Sequence, residues 1–540
     1  MIGSNNIMKT LSPVHPIWAI ILLFAISSAN SEPALDEFFR CLSNNSSPFY
    51  PVSEAIYTPN DASFLSVLNS YVKNLRFSTP ATPKPLAIVA ARHQSHVQAT
   101  VICANRHGLE IRVRSGGHDY EGLSYVSSMP FIVLDMFNLS VIHIDIEAET
   151  AWVQAGATTG ELYYRIAEKS RVHAFPAGVC PTLGTGGHFS GGGYGNLMRK
   201  YGLSVDNIID AQIVSVHGTI LNRESMGEDL FWAIRGGGGS SYGVILSWKI
   251  KLVPVPANVT VFNVKRTLEE NATDVVYRWQ HVADKLPKDL FIRAMPQVVN
   301  ASEKGKKTIQ ISFIGHFLGQ IKRLLPLMNE RFPELGLQKN DCTEMSWIES
   351  TLFWAYLPTT PTDALLKRTG MATGFTKGKS DYVKEPIPKT GLESIWKVMI
   401  KNGRGWMQWN PYGGRMSEIS ESETPFPHRA GNIFKIQYSV SWEEVGTEAS
   451  NLYLNLSRTL YKAMTPYVSK SPREAFLNYR DLDIGHAAGT DNCAIVSSAQ
   501  VYGTKYFKGN LERLQRVKTR IDPSNFFRNE QSIPPLPSLP

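Results

Sequence analysis

Two nucleophilic side chains sit among closely spaced glycines: His118 in RSGGHDYEGLSY (114–125) and Cys180 in GVCPTLGTGGHFSGGGYG (178–195). An imidazole and a thiolate can each add covalently to an electron-poor ligand, and glycine lets backbone approach a ligand where any Cβ would collide. Taken in isolation, they read first as a satisfied loop histidine and a buried structural thiol. A second polar pair lies in FKIQY (434–438), where the period of two in a strand puts Lys435 and Gln437 on one face and Phe434, Ile436 and Tyr438 on the other. The same pattern also suits an amphipathic strand with a solvated lysine and glutamine.

The glycine blocks fit neither common phosphate cradle. None gives GxGxxG in register, and GFTKGKS (374–380) has one residue too few between its glycines for a GxxxxGK loop. Nicotinamide and ATP therefore lose ground as ligands.

The elements around these loops read as mixed α and β. LAIVA, a helix from Ser95 to about Arg106, and IRVRS form a β-α-β unit between Pro85 and Ser115. Strand-like runs follow at 131–136, 141–146 and 151–157, then a helix that Thr158 or Thr159 can cap. After the strand GVILSWKIKLV, Pro254 and Pro256 punctuate the chain, and a second domain with helices such as one over 316–331 is expected.

The chain has 540 residues, 43% of them apolar, enough for more than one core. Its 55 basic and 47 acidic residues, net +8, are spread without the clustered run that a phosphate backbone needs, so no nucleic-acid partner is expected. Residues 16–29, PIWAIILLFAISSA, are apolar, end in small residues and fall short of the roughly 20 needed to cross a bilayer. They read as a signal peptide, so no membrane association is expected after its removal. Sequons at Asn44, Asn45, Asn138, Asn258, Asn271, Asn300 and Asn455 agree with secretion, to the cell wall space or to a vacuole. Five cysteines, Cys41, Cys103, Cys180, Cys342 and Cys493, leave at least one unpaired or otherwise used in an oxidising compartment. No metal site is expected.

The two glycine blocks around His118 and Cys180 and a third, RGGGGSSYGVI (235–245), with NYRDLDIG (478–485) and DPSNFF (522–527), resemble the flavin-binding domain of the vanillyl-alcohol-oxidase superfamily, and within it the berberine bridge enzyme-like family. The resemblance implies an α+β fold: a signal peptide over 1–31, a two-part FAD-binding domain over 32–255, a substrate domain over 256–470 with an antiparallel sheet backed by helices, and a segment 471–540 returning to the first domain. It implies FAD bonded to His118 and Cys180 and cradled by Ser115, Gly116, Gly117, Leu183, Gly184, Gly187, His188, Gly192, Gly193, Gly195 and Asn478. His188 would approach the N1 and C2-carbonyl side of the flavin. It also implies a Cys41–Cys103 disulfide, closing about 60 residues at a gain of roughly 4 kcal/mol, with Cys342 and Cys493 as buried free thiols.

The reaction implied is hydride transfer from a small-molecule substrate, an allylic or benzylic alcohol or a related phenolic, to flavin N5. Tyr479 would be the base, activated by a Lys435 ammonium that favours tyrosinate, with Gln437, Tyr120 and Tyr194 lining the pocket. Leu183 occupies a position where, in the family, leucine tends to obstruct oxygen and valine to admit it, which implies a dehydrogenase rather than an oxidase. The resemblance also allows oxidative ring closure or diene formation on a prenylated phenolic or alkaloid, carbohydrate oxidation, or a cyclase that uses the flavin as a scaffold. In YGGRMSEISESETPFPHR (412–429) several acids and His428 have side chains suited to catalysis; Glu418 is given no role.

Overall fold

The computed structural model describes residues 31–369, 373–489 and 492–537; the expected signal peptide lies outside them apart from its last residue. Helix α1 (Ser31–Asn45) leads to β1 (Ile56–Tyr57), β2 (Ala87–Ala90), α2 (Gln94–Arg106), β3 (Glu110–Arg114) and β4 (Phe131–Asp135). The sheet order is β1-β2-β4-β3, with β2, β4 and β3 parallel and β1 antiparallel at the edge. Both faces of the parallel strands are covered, which is why LAIVA and FIVLD read as continuous apolar runs. The Cys41–Cys103 disulfide joins α1 to α2.

A second, antiparallel sheet contains β5 (Ile142–Asp145), β6 (Thr150–Gln154), β8 (Ile208–Val214), β9 (Ile220–Leu221) and β10 (Val244–Lys251), in the order β5-β6-β10-β8-β9. A short pair, β7 (His173–Ala174) with β11 (Val253–Pro254), lies beside it. Between these strands, α3 (Thr159–Lys169) starts at a capping box in which Thr158 and Glu161 satisfy each other's backbone amides. The short helix α4 (Thr185–Ser190) begins inside the long glycine block.

The third sheet has seven antiparallel strands in the order β15-β12-β14-β13-β17-β18-β16. They are β12 (Val259–Thr267), β13 (Leu290–Asn300), β14 (Lys307–Phe317), β15 (Cys342–Met345), β16 (Phe375–Val383), β17 (Trp406–Pro411) and β18 (Phe434–Trp442). One face is backed by α5 (Ala272–Val282), α8 (Lys389–Asn402) and α9 (Thr447–Ala463), where Trp279, Trp396 and Leu460 pack with Ile292, Trp409, Ile436 and Tyr438 in one core. The opposite face looks toward the glycine-rich loops. A larger core unites residues between Phe38 and Val259 with residues between Ala475 and Ile533. The C-terminal segment thus packs back onto the first half of the chain.

Two expectations need correction. The helix placed over 316–331 is α6 (Ile321–Arg331), because residues 316–317 complete β14 and register with Phe291 and Leu290 of β13. Cys493 is exposed and Cys342 only half-buried, since Cys342 starts the edge strand β15. Among the described residues no helix is long and apolar enough to cross a membrane.

Candidate active site

The loop after β3, the loop leading into α4, the turn at Leu477–Tyr479 and the open face of the third sheet surround one cavity of about 440 Å³. The loops can meet because two glycines cross backbone to backbone. A Cβ on Gly184 would lie 2.1 Å from Ser115 Oγ and 2.2 Å from the Gly116 nitrogen, and one on Gly116 would lie 2.3 Å from the Gly184 nitrogen. The cysteine loop is laced to residues 155–160 by Thr159 N–H to the Leu183 carbonyl, Gly160 N–H to Pro181 and Gly186 N–H to Ala155. Gly187 differs: a Cβ there would meet nothing within 4 Å, so its bare backbone opens on space where a ligand can lie.

His118 and Cys180 come together around one hydroxyl. His118 Nε2 is 2.9 Å from Thr182 Oγ1, and Cys180 Sγ is 3.6 Å from the same oxygen. Burial, and then the Lys73 charge, push His118 down to about 3, so the ring is neutral. His188 is likewise lowered to about 3, by burial first and then by His118 and Lys435. The Gly178 N–H donates to His188 Nε2 at 2.9 Å, which leaves the proton of the neutral ring on Nδ1. Asn478 Nδ2 donates to the His188 carbonyl at 2.9 Å.

Three tyrosines meet beside these groups. Tyr479 stacks on Tyr120 with ring centroids 5.4 Å apart and planes 6° from parallel, and its hydroxyl makes a short hydrogen bond with that of Tyr194. Gln437 Nε2 donates to the Tyr120 hydroxyl. Tyr120 has room because its neighbour Gly378 carries no side chain; a Cβ there would lie 2.5 Å from its ring. Asn410 Nδ2 donates to the Tyr194 hydroxyl at 3.3 Å, and Asn410 Oδ1 accepts from Arg293 Nε at 2.7 Å.

Ser115, Gly116, Gly117, His118, Tyr120, Cys180, Leu183, Gly184, Gly187, His188, Tyr194, Gln437, Asn478 and Tyr479 all line the cavity. Four expected residues do not. Gly192, Gly193 and Gly195 serve chain packing instead: Gly192 and Gly193 have φ of +125° and +70°, and a Cβ on Gly195 would lie 1.8 Å from the Ala177 carbonyl. Lys435 is the fourth. It lies behind the tyrosines, its Nζ 3.2 Å from the Tyr194 ring centroid, 3.8 Å from Phe476 and 4.6 Å from Tyr479.

The charge state expected of that pair also needs correction. Burial, and then Arg293, drive Lys435 well below the ordinary ammonium range. Burial, followed by Tyr194 and Tyr120, drives Tyr479 well above the ordinary phenol range, and the charge that opposes this is Arg293. Arg293 was not anticipated, yet it lines the cavity and is 1% exposed. Its only signal in the sequence is a lone charge within the apolar run LFIRAM of β13. Trp406, Gln408, Phe476, Ser240 and Gly238 are further lining residues missed.

The sheets and loops define a flavin-binding α+β protein, and the bare backbone at Gly187 and the paired nucleophiles lining one cavity fit FAD. The FAD binding domain family matches residues 85–223, and the family described as berberine and berberine like matches residues 475–534. The chain is 56% identical over 522 residues to Berberine bridge enzyme-like 4 of Arabidopsis thaliana, covering 96% of this chain and 98% of that protein. Among solved structures, BBE-like #28 from Arabidopsis thaliana superposes with a TM-score of 0.87 at 47% identity, over 93% of this chain and all of that one. Phl p 4, a grass pollen allergen with glucose dehydrogenase activity, gives 0.86 at 45% identity over 92% and 99%. The chain belongs to the berberine bridge enzyme-like family of FAD-binding oxidoreductases.

Proposed function

We propose that this protein oxidises an allylic or benzylic alcohol of a phenolic metabolite, with FAD held by two covalent bonds at His118 and Cys180. The observation that carries the reading is the Tyr479 hydroxyl, hydrogen-bonded to Tyr194 and ring-stacked on Tyr120, in the same cavity as His118 and Cys180.

The flavin supplies the hydride acceptor. The protein must take the hydroxyl proton of the substrate, and the cavity restricts what can do so. Asp119 is the one carboxylate among its described lining residues, and it is tied to Arg480 and to the Glu121 and Leu123 amides. His188 Nε2 already accepts from Gly178. Tyr479 remains as the base. Its phenolate form is supported by the Arg293 charge, which reaches the phenols through Asn410 and opposes the upward push of burial, Tyr194 and Tyr120. Gln437 and Tyr120 orient the substrate ring.

Leu183 packs beside Gly178, its Cδ1 2.6 Å from where a Cβ on that residue would be, and a full leucine there supports dehydrogenase behaviour. Wild-type Phl p 4 is described as a glucose dehydrogenase and an isoleucine-to-valine variant as a glucose oxidase. That neighbour, with the neutral amides of Gln408 and Gln437 in this cavity, favours sugar oxidation as the second reading. The exposed sequon residues Asn44, Asn138, Asn258, Asn271, Asn300 and Asn455 are consistent with a secreted protein.

The test is anaerobic mixing of holoprotein with phenolic allylic alcohols and with hexoses while the oxidised flavin band is followed. Bleaching by the alcohols is expected; bleaching by hexoses alone moves the assignment to the second reading, and persistent colour with every candidate refutes hydride chemistry. Acid-precipitated protein should stay yellow, and a His118→Ala, Cys180→Ala double variant should release its flavin.

A further inference from the structure

Tyr356 occupies a place where the backbone asks for glycine. It follows α7 (Trp347–Trp354), with Leu357 N–H bonded to the Leu352 carbonyl and Tyr356 N–H to Phe353, the pattern of a helix ended by a left-handed residue. Its φ is +61°. Left-handed backbone is costly for a bulky aromatic residue and nearly free for glycine. The residue is also 61% exposed, so burial does not offset the cost. A strained, exposed aromatic side chain suggests use by a ligand.

The ring lies over the cavity side of the third sheet. Its hydroxyl meets Met295 Sδ at 3.6 Å. Met295 follows Arg293 by two residues on β13 and therefore shares its face, the one that lines the cavity. The β13–β17 register pairs Ala294 with Trp409 and Gln297 with Trp406, so Met295 stands opposite Gln408, and Arg293 opposite Asn410. Exposure grades along these rows: Arg293 and Asn410 are buried, whereas Met295, Gln408, Gln297 and Trp406 are half-buried. The rows therefore run from the tyrosine corner outward to Trp406. On β18, Ser439 pairs with Trp406. The outer end offers an indole, amides and a hydroxyl, with no charged side chain among Met295, Gln297, Trp406, Gln408 and Ser439.

We propose that Tyr356 and Trp406 form the walls of an outer subsite that binds a second, neutral, hydroxyl-bearing ring of the substrate while the first ring lies over Tyr120 and Tyr479. The inference rests on the reading that the substrate sits over those tyrosines. An indole and a phenol provide stacking faces, and Gln297 and Gln408 can hydrogen-bond hydroxyls at the edge of the ring. A phenolic ring and a pyranose share this chemistry.

The test uses oxidised holoenzyme and ligands that cannot turn over: 4-propenylphenol, its hydroxyphenyl ether and its glucopyranoside, with Kd read from the shift in flavin absorption. At least one two-ring ligand should bind about tenfold tighter than 4-propenylphenol, and the favoured arm identifies the ring. Tyr356→Gly and Trp406→Leu should each bring that ratio close to one. Tyr356→Gly should do so with Tm unchanged or raised, because glycine relieves the backbone; a purely structural tyrosine would lower Tm and leave the ratio alone. A wild-type ratio near one in both arms, or a ratio that survives in either variant, overturns the proposal. Flavin that no alcohol bleaches counts instead against the oxidation chemistry, since binding is measured without turnover.

Discussion

The glycine loops and the tyrosine corner are two walls of one cavity, shaped by opposite means. In the loops, shape comes from missing side chains: Gly116 and Gly184 touch at distances that only bare backbone allows. In the corner, shape comes from charge and ring faces gathered from β13, β17, β18 and a turn near residue 479. The first wall depends on a few neighbouring positions that tolerate no substitution. The second depends on long-range contacts whose energies can be tuned one group at a time.

The largest effect should separate two glycines within the first wall. Gly184→Ala forces a Cβ into Ser115 and Gly116, so soluble yield and Tm should collapse. Gly187→Ala adds its Cβ to open space, so the flavin-free protein should keep its Tm while flavin binding falls by about tenfold or more. Equal behaviour of the two variants would remove the distinction drawn within that loop. In the second wall, Tyr479→Phe should retain flavin and lose about 10²–10⁴-fold in the rate of anaerobic flavin reduction, the usual range for a general base.

Arg293→Met should act more mildly. Without the cation that opposes the upward push on Tyr479, the acidic limb of the pH–rate profile, where the base loses its proton, should move to higher pH and the rate near pH 7 should fall about tenfold. An unmoved limb would show that the positive charge is not what supports the base. The smallest effect concerns His188, whose folded value is about 3 against an ordinary 6.5. Both states are neutral above pH 6.5; below it the unfolded chain takes up a proton that the folded chain refuses, so stability falls between pH 6.5 and 3. His188→Gln should flatten the dependence of Tm on pH across that window.

This division also explains what the sequence could reveal. Glycine blocks are local, so the first wall, the cofactor class and the two nucleophiles were legible from short motifs. The β-α-β unit and the strand carrying Gln437 were legible for the same reason, since periodicity is local. Arg293 was not, because nothing near residue 293 records that Asn410 and Tyr194 lie beside it. Lys435 was placed on the correct strand face but one layer too far forward, as the strand period does not show which neighbours stand in front. GFTKGKS is a third case. Lys377 and Lys379 are buried against Glu121, Asp481 and Asp483, with Lys377–Asp481 at 2.6 Å and Lys379–Asp481 at 2.7 Å, and only the fold reveals those carboxylates. Gly192, Gly193 and Gly195 show the converse: a motif can be correctly recognised while some of its glycines face chain rather than ligand.

The return of the segment between Ala475 and Ile533 to the first core sets an order of assembly during synthesis. A nascent chain that has emerged only to residue 470 holds both nucleophiles but neither Asn478 nor Tyr479, so its cavity lacks a side. The site is completed only when nearly the whole chain has left the ribosome, and premature termination anywhere before Tyr479 yields a protein that lacks the tyrosine corner of its cavity.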